Sequence, residues 1–251
     1  VIDDGSREEY RSALRGVADD VRLIEKDRNA GIADSVNRGI AECREYSWVL
    51  FADQDSEFDP SLVGALLEAA DQFRHGHGRF PGAIGPGCIG DLSYRASRSV
   101  GRFLSVPEII QSGALFRVSA LLEIGGVDPA YVIDGVDTLL CLSLRSRGWA
   151  VVAVGDLSMG HRIGSGRVLR ILGHTVLIAD HTPMRVYYIT RNRLVLLRRF
   201  ARREPAWALT TARRMVVALI TMVMFGENRG AKLRAVLHGL HDFATRRMGK
   251  V

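Results

Sequence analysis

Cysteine is scarce in this chain. The 251 residues hold three, Cys43, Cys88 and Cys141, with no CxxC pair. An odd, widely spaced set excludes a disulfide framework and a zinc knuckle of paired thiolates. Each cysteine is expected to be a small core residue, and a reducing cytosol is the compartment that suits them. Long apolar runs are also missing. The longest apolar stretch, Met215 to Phe225, is about half of the ~20 residues that a bilayer-spanning helix needs. There is no internal repeat and no low-complexity segment. No Gly-rich, basic phosphate loop follows the first strand, which argues against a nucleotidyltransferase. The chain opens on Val1-Ile2-Asp3-Asp4, which has no signal-peptide pattern and reads as the end of a strand entering a turn. The first strand is therefore expected to begin upstream of residue 1.

What the chain does have is apolar residues, 47% of the total, in short runs separated by Gly, Asp and Arg. That is enough for one large core or a core plus a small appendage. The net charge of +6 is unevenly placed. From Arg185 to Lys250, fifteen Lys or Arg stand against three acids, Glu204, Glu227 and Asp242. A tail of this kind suits an anionic membrane face, an acidic substrate or nucleic acid. It carries no recognised nucleic-acid motif and no aromatics interleaved with its cations, so a specific nucleic-acid partner is not expected.

Hydrophobic spacing predicts helices at 7–18, 31–45 and 60–73, alternating with strands at 21–25 and 48–52. Trp48 to Ala52 is a continuous apolar run, as in a strand buried on both faces. Strands follow at 82–87, 109–118 and 150–154, with loops at 76–81 and 87–99. A short helix capped by Ser119 ends at Gly125-Gly126, and another runs from Val136 to Arg147. The fold class is α/β, a mostly parallel sheet flanked by helices. From about His181 the pattern changes to three Arg-rich amphipathic helices, 184–203, 206–225 and 229–247. The chain divides accordingly into 1–182 and a basic helical region, 183–251.

Two acidic turns stand where an open α/β sheet binds ligands, at the carboxyl ends of strands. Asp53-Gln54-Asp55 follows the buried apolar run directly. Two carboxylates one residue apart can reach a single site, and hard oxygen ligands suit Mg²⁺ or Mn²⁺, which in turn suit a diphosphate. Taken alone, such a pair is better read as a solvated turn; its place after the apolar run reverses that preference in favour of the metal. Asp3-Asp4-Gly5-Ser6 is the second turn. Its carboxylates can accept hydrogen bonds from a base N–H or ribose hydroxyls. Ser6 with Glu9 also fits a helix capping box.

These motifs occur together with Asn29-Ala30-Gly31-Ile32, Asn37-Arg38-Gly39-Ile40, Ser112-Gly113, Gly125-Gly126-Val127-Asp128, Asp134-Gly135-Val136-Asp137-Thr138, His161-Arg162-Ile163-Gly164, Tyr187-Tyr188 and Arg191-Asn192. In order and spacing the set resembles the family 2 glycosyltransferases of GT-A fold, over residues 1 to about 200. The wording Asp53-Gln54-Asp55-Ser56 is most similar to the bacterial rhamnosyltransferase branch, which uses dTDP-rhamnose.

The resemblance implies a metal-dependent inverting transfer of a sugar from a dTDP- or UDP-sugar. The acceptor would be a carbohydrate or lipid-linked glycan in cell-surface polysaccharide synthesis, at the cytoplasmic side of the plasma membrane. It makes 1–182 the catalytic domain. It implies that Asp3 or Asp4 contacts the nucleobase or ribose, that Asp53 and Asp55 hold Mn²⁺ or Mg²⁺ with His161, and that Asp137 is the catalytic base. Gln54, Ser112, Gly113, Asp134 and Arg191 are further substrate contacts. Asp134 reads equally as a helix N-cap, and Arg191 as a solvated helix face. Where the family pattern carries Glu, Trp and Arg, this chain has Leu139, Leu140 and Ser143. Leu139 and Leu140 best support the rival reading, a non-catalytic module that binds a nucleotide sugar or a partner. The apolar stretch of Trp207 to Val223 beside Arg202, Arg203, Arg213 and Arg214 reads as an interfacial membrane helix, or as a helix packed on the catalytic domain or on a second subunit of a homo-oligomer.

Overall fold

The structure, a computed structural model, describes residues 1–16, 21–57, 59–90, 92–94, 96, 98–160, 166–171, 174–179 and 181–250; for residues 92, 166–171 and 174–179 it describes the backbone. Strand β1 (Ile2–Asp3) leads to α1 (Glu8–Arg15) and pairs in parallel with β2 (Ile24–Glu25). Then follow α2 (Ile32–Glu42), β3 (Trp48–Phe51), α3 (Ser61–His77), β4 (Ala83–Ile89), β5 (Leu92–Ser93), β6 (Arg98–Val100), β7 (Phe103–Ser105) and β8 (Ala114–Arg117). Helix α4 (Val118–Glu123), a 3₁₀ turn at Pro129–Tyr131, α5 (Val136–Ser146) and β9 (Val151–Met159) complete the main layer. A hairpin of β10 (Gly166–Ile171) and β11 (His174–Ala179) precedes α6 (Pro183–Phe200), α7 (Pro205–Phe225) and α8 (Arg229–Ala244).

The α/β architecture and the three C-terminal helices are as expected, but the sheet is mixed. The large sheet runs β3-β8-β4-β9-β7-β6, with β5 on β4. Among the described strands of that sheet only β4 and β9 pair in parallel; β8 lies antiparallel between β3 and β4. The sequence alternates strand and helix through residue 77, which is the signature of parallel crossovers. After that, short strands return without a helix and must pair antiparallel. Residues 87–99, expected as a loop, therefore hold the end of β4 and the short edges β5 and β6. Helix α4 starts one residue before Ser119, with Arg117 at its cap position.

Successive sheet residues face opposite sides, as a strand's period of two requires. Ala83, Phe116, Val151 and Ala153 pack with Ala33, Val36 and Ile40 of α2, Leu121 of α4 and Leu140 of α5. Ile84, Leu115, Val152 and Val154 pack on the other side with Leu62, Leu66 and Phe73 of α3. Leu196 and Phe200 bring α6 into the first of these clusters, so the C-terminal helices are anchored on the sheet. Thr182 caps α6 by accepting from the Arg185 N–H, with Pro183 in the first turn. Cys141 is buried, while Cys43 and Cys88 are half-buried.

Candidate active site

Each acidic turn is held by a network that its own residues create. The Asp3 carboxylate is 4% exposed, accepts the Ser6 N–H, and pairs with Arg11 at 3.1 Å. Burial works against its charge, but the hydrogen bonds from Ser6 and Arg11 hold its carboxyl below the usual range. Asp4 reaches across to the next loop, accepting the Ala30 and Gly31 N–H groups at 3.0 and 2.9 Å and the Lys26 ammonium at 2.5 Å. Gly5 sits between them at φ +73°, where a Cβ would overlap the backbone of Arg28 and Asn29. The Ser6–Glu9 capping box does not form: Arg7 is the cap residue of α1, and the Ser6 N–H is spent on Asp3. Asp3 and Asp4 thus shape the turn and the Asn29-Ala30-Gly31 loop beside it.

The second turn leaves β3 at Phe51. Its first carboxylate, Asp53, is half-buried, while Gln54 and Asp55 are exposed. The loop is tied to the start of β8. Ser112, wholly buried, accepts the Asp53 N–H at 3.0 Å, and its hydroxyl lies 2.6 Å from that of Ser56. Gly113 donates its N–H to the Phe51 carbonyl at 2.8 Å, and its φ of +76° brings it against Met159, where a side chain would collide with the sulfur. Ser112 therefore acts on Asp53 through its backbone, and Gly113 holds the end of β3 at Phe51.

Asp137 arrives at the same place from the first turn of α5. Its carboxylate accepts the Gln111 N–H at 3.4 Å, one residue from Ser112. Burial, reinforced by the nearby charges of Asp53 and Glu108 and opposed by the Gln111 hydrogen bond, pushes it up to about 6. A carboxyl so raised is poised to take and release a proton near neutral pH. The structure thus brings Asp53, Ser112 and Asp137 together.

Two further residues belong here that sequence reading did not single out. Gln111 is 4% exposed, and its amide oxygen has no hydrogen-bond partner among the described residues. Glu108 accepts the Thr138 hydroxyl at 2.7 Å, beside Asp137. The one sequence signal for Gln111 is its place directly before Ser112-Gly113.

Asp134 and Arg191 fall elsewhere. Asp134 is not helical and does not cap α5; it stands at φ +61°, Gly135 takes the cap position, and its carboxylate pairs with Arg185 at 3.1 Å. Arg191, expected as a phosphate contact or a solvated face, is neither. It is 0% exposed and donates to Tyr187 Oη, Asn192 Oδ1, Ala130 O and Gly249 O, so its donors are committed inside the protein. Leu139 and Leu140 are 2% and 0% exposed and pack in the core, and Ser143 is buried with them. They lie on the inner side of α5, so their departure from the family pattern is met by core packing. His161 lies outside the described residues.

The residues that could hold a divalent cation here are Asp53 and Asp55. Among the described residues there is no cluster of three or more His, Cys, Asp or Glu side chains suited to a metal. Two hard carboxylates, one half-buried and one exposed, fit a metal that takes its remaining ligands from phosphate oxygens and water.

Comparison with known proteins bears on the family and the fold. The dTDP-rhamnosyl transferase RfbF of Shigella flexneri is 29% identical over 194 residues, a match covering 71% of this chain and 64% of RfbF. The chain thus spans less than two thirds of that relative. In fold it resembles GalNAc-T7 solved with UDP, GalNAc and Mn²⁺, with a TM-score of 0.53 and 13% identity, covering 76% of this chain and 40% of that one. It also resembles the mannosyltransferase PcManGT from Pyrobaculum calidifontis in complex with GDP-Man and Mn²⁺, with a TM-score of 0.50 and 15% identity, covering 98% and 72%. At such identities the likeness carries the fold alone. Residues 1–125 match the model of glycosyl transferase family 2, and with both acidic turns inside that span the first half of this chain is a glycosyl transferase family 2 domain.

Proposed function

We propose that the chain transfers a sugar from a nucleoside diphosphate to a carbohydrate hydroxyl, with inversion, and that the donor is dTDP-rhamnose. The observation that carries the reading is Asp137, raised to about 6 beside the Asp53 carboxylate. The acceptor hydroxyl gives its proton to Asp137 as its oxygen attacks the anomeric carbon, and the nucleoside diphosphate leaves from the opposite face. Asp53 and Asp55 would hold Mn²⁺ or Mg²⁺, which supplies charge neutralisation for the leaving diphosphate. Asp4, by fixing Ala30 and Gly31, keeps the nucleotide side of the cleft in shape. The similarity to RfbF supports the choice of sugar. A nucleotidyltransferase is not favoured, and the buried Leu139 and Leu140 remove the main argument for a non-catalytic module.

The C-terminal helices support work at a membrane surface. Helix α7 is 21 residues long, and its most apolar stretch has a mean hydropathy of 1.5 and is 11% buried, so by length and composition it could cross a bilayer. The sequence estimate counted only Met215 to Phe225 and missed the apolar turns before it. Arg213 and Arg214, however, sit near its middle, where spanning would set each in hydrocarbon at a cost of about 2.5–3.5 kcal/mol. Lying flat in the interface avoids that cost.

The test is nucleoside diphosphate release from a panel of dTDP- and UDP-sugars with Mn²⁺, Mg²⁺ or EDTA. Metal-dependent release from dTDP-rhamnose, abolished in Asp55→Ala, is the expected result. Absence of binding to every nucleotide sugar contradicts the donor site.

A further inference from the structure

Between α6, α7 and α8 lies an open groove of about 760 Å³. One wall is apolar, with Met215, Leu219, Met222, Val236 and Leu240 among its residues. Arg193, Arg213, Arg214 and Lys232 also line it, and none of the described lining residues is acidic. An apolar trough edged with cations suits an anion with an apolar body.

Arg193 sharpens the point. It is half-buried on α6, and burial lowers its pKa. The attractions it feels from Glu108 and Asp134 do not amount to a hydrogen bond or a close ion pair with any described residue. Arginine's planar fork of donors suits a phosphate. Arg214 stands 3.9 Å from Glu108, the residue that accepts the Thr138 hydroxyl next to Asp137. The cationic edge of the groove therefore adjoins the acceptor side of the site. Around its mouth α7 presents Leu209, Val216, Ile220, Val223 and Met224, all well exposed. That surface suits a membrane from which an amphiphile could enter.

We infer that the groove binds the lipid end of the acceptor, a long-chain lipid phosphate. Its chain lies along the apolar wall of α7 and α8, and its phosphate lies at Arg193, Arg213 and Arg214. This rests on the transferase reading above and assigns that reading's acceptor a site. A volume of this size holds a segment of one chain rather than a patch of bilayer. The charged end of the lipid then sits toward Glu108 and Asp137, with the glycan it carries reaching the base.

The test is flotation of the full chain with phosphatidylcholine vesicles doped with polyprenyl phosphate, with the uncharged polyprenol, or with phosphatidylglycerol. Binding is expected to be about tenfold tighter to the polyprenyl phosphate vesicles than to either of the others. Arg193→Gln should lose about that factor. Ala218→Trp, at an exposed lining position, fills the trough without changing charge or core, and should lose it too. Both variants should keep nucleotide-sugar binding, which shows that they fold. Equal binding to polyprenyl phosphate and phosphatidylglycerol would mean a general attraction to anionic surfaces and overturn the site. So would an Ala218→Trp protein that binds like the parent. If the parent binds the lipid phosphate but no nucleotide sugar, the groove stands and the transferase reading falls.

Discussion

Replacing Asp137 by asparagine should move activity and stability in opposite directions. The asparagine can still accept the Gln111 N–H through Oδ1, but it cannot take a proton. Loss of a general base lowers turnover by roughly 10²–10⁴-fold. Stability follows from the raised pKa. A carboxyl that titrates at about 6 when folded and 3.8 when exposed holds its proton more tightly in the folded state. Well below pH 3.8 it is neutral in both states and costs nothing. As pH rises through 6 the folded state must carry a buried charge, and stability falls by up to about 3 kcal/mol above pH 7. Asparagine removes that fall. Thermal melts should therefore coincide near pH 3 and separate by pH 8. There the variant should melt higher by up to roughly 12 °C, while the parent's rate constant climbs with pH through about 6. A variant that is less stable than the parent at pH 8, or one that keeps its activity, would refute the assignment of Asp137 as a buried base.

Gly5→Ala should lower the melting temperature and weaken nucleotide binding. The new Cβ would press on the backbone of Arg28 and Asn29 at a left-handed φ, a strain of about 1–3 kcal/mol before the loop shifts. Arg191→Met should destabilise by roughly 3–5 kcal/mol, because it strips donors from buried acceptors. The part that stays folded should bind donor as the parent does, by calorimetry; weakened donor binding there would restore a phosphate role. Ser112→Ala removes the hydroxyl that ties the Asp53 N–H and the Ser56 hydroxyl to β8, so turnover should fall more than the melting point, read from kcat and a thermal melt.

The sequence made the acidic turns legible because each follows an apolar run, and a strand end is where an α/β sheet binds ligands. Asp137 was legible only through its resemblance to a family pattern. Its raised pKa depends on Gln111, Asp53 and Glu108, which approach it only through the fold. Arg191 misled for a related reason. On a helix in an Arg-rich region it reads as surface, and nothing local reveals that Tyr187, Ala130 and Gly249 converge on it. The sheet's antiparallel half escaped because β5, β6 and β7 are two or three residues long, too short to show an alternating pattern. Leu139 and Leu140 looked like lost functional residues until their burial gave them a packing role.

The most direct measurement of the central claim is a crystal structure with dTDP and Mn²⁺. The account predicts the metal on Asp53 and Asp55, the diphosphate above the end of β3, and the Asp137 carboxylate facing the open position where the sugar's anomeric carbon would lie. A nucleotide bound elsewhere, or a diphosphate that neither Asp53 nor Asp55 approaches through the metal, would contradict it.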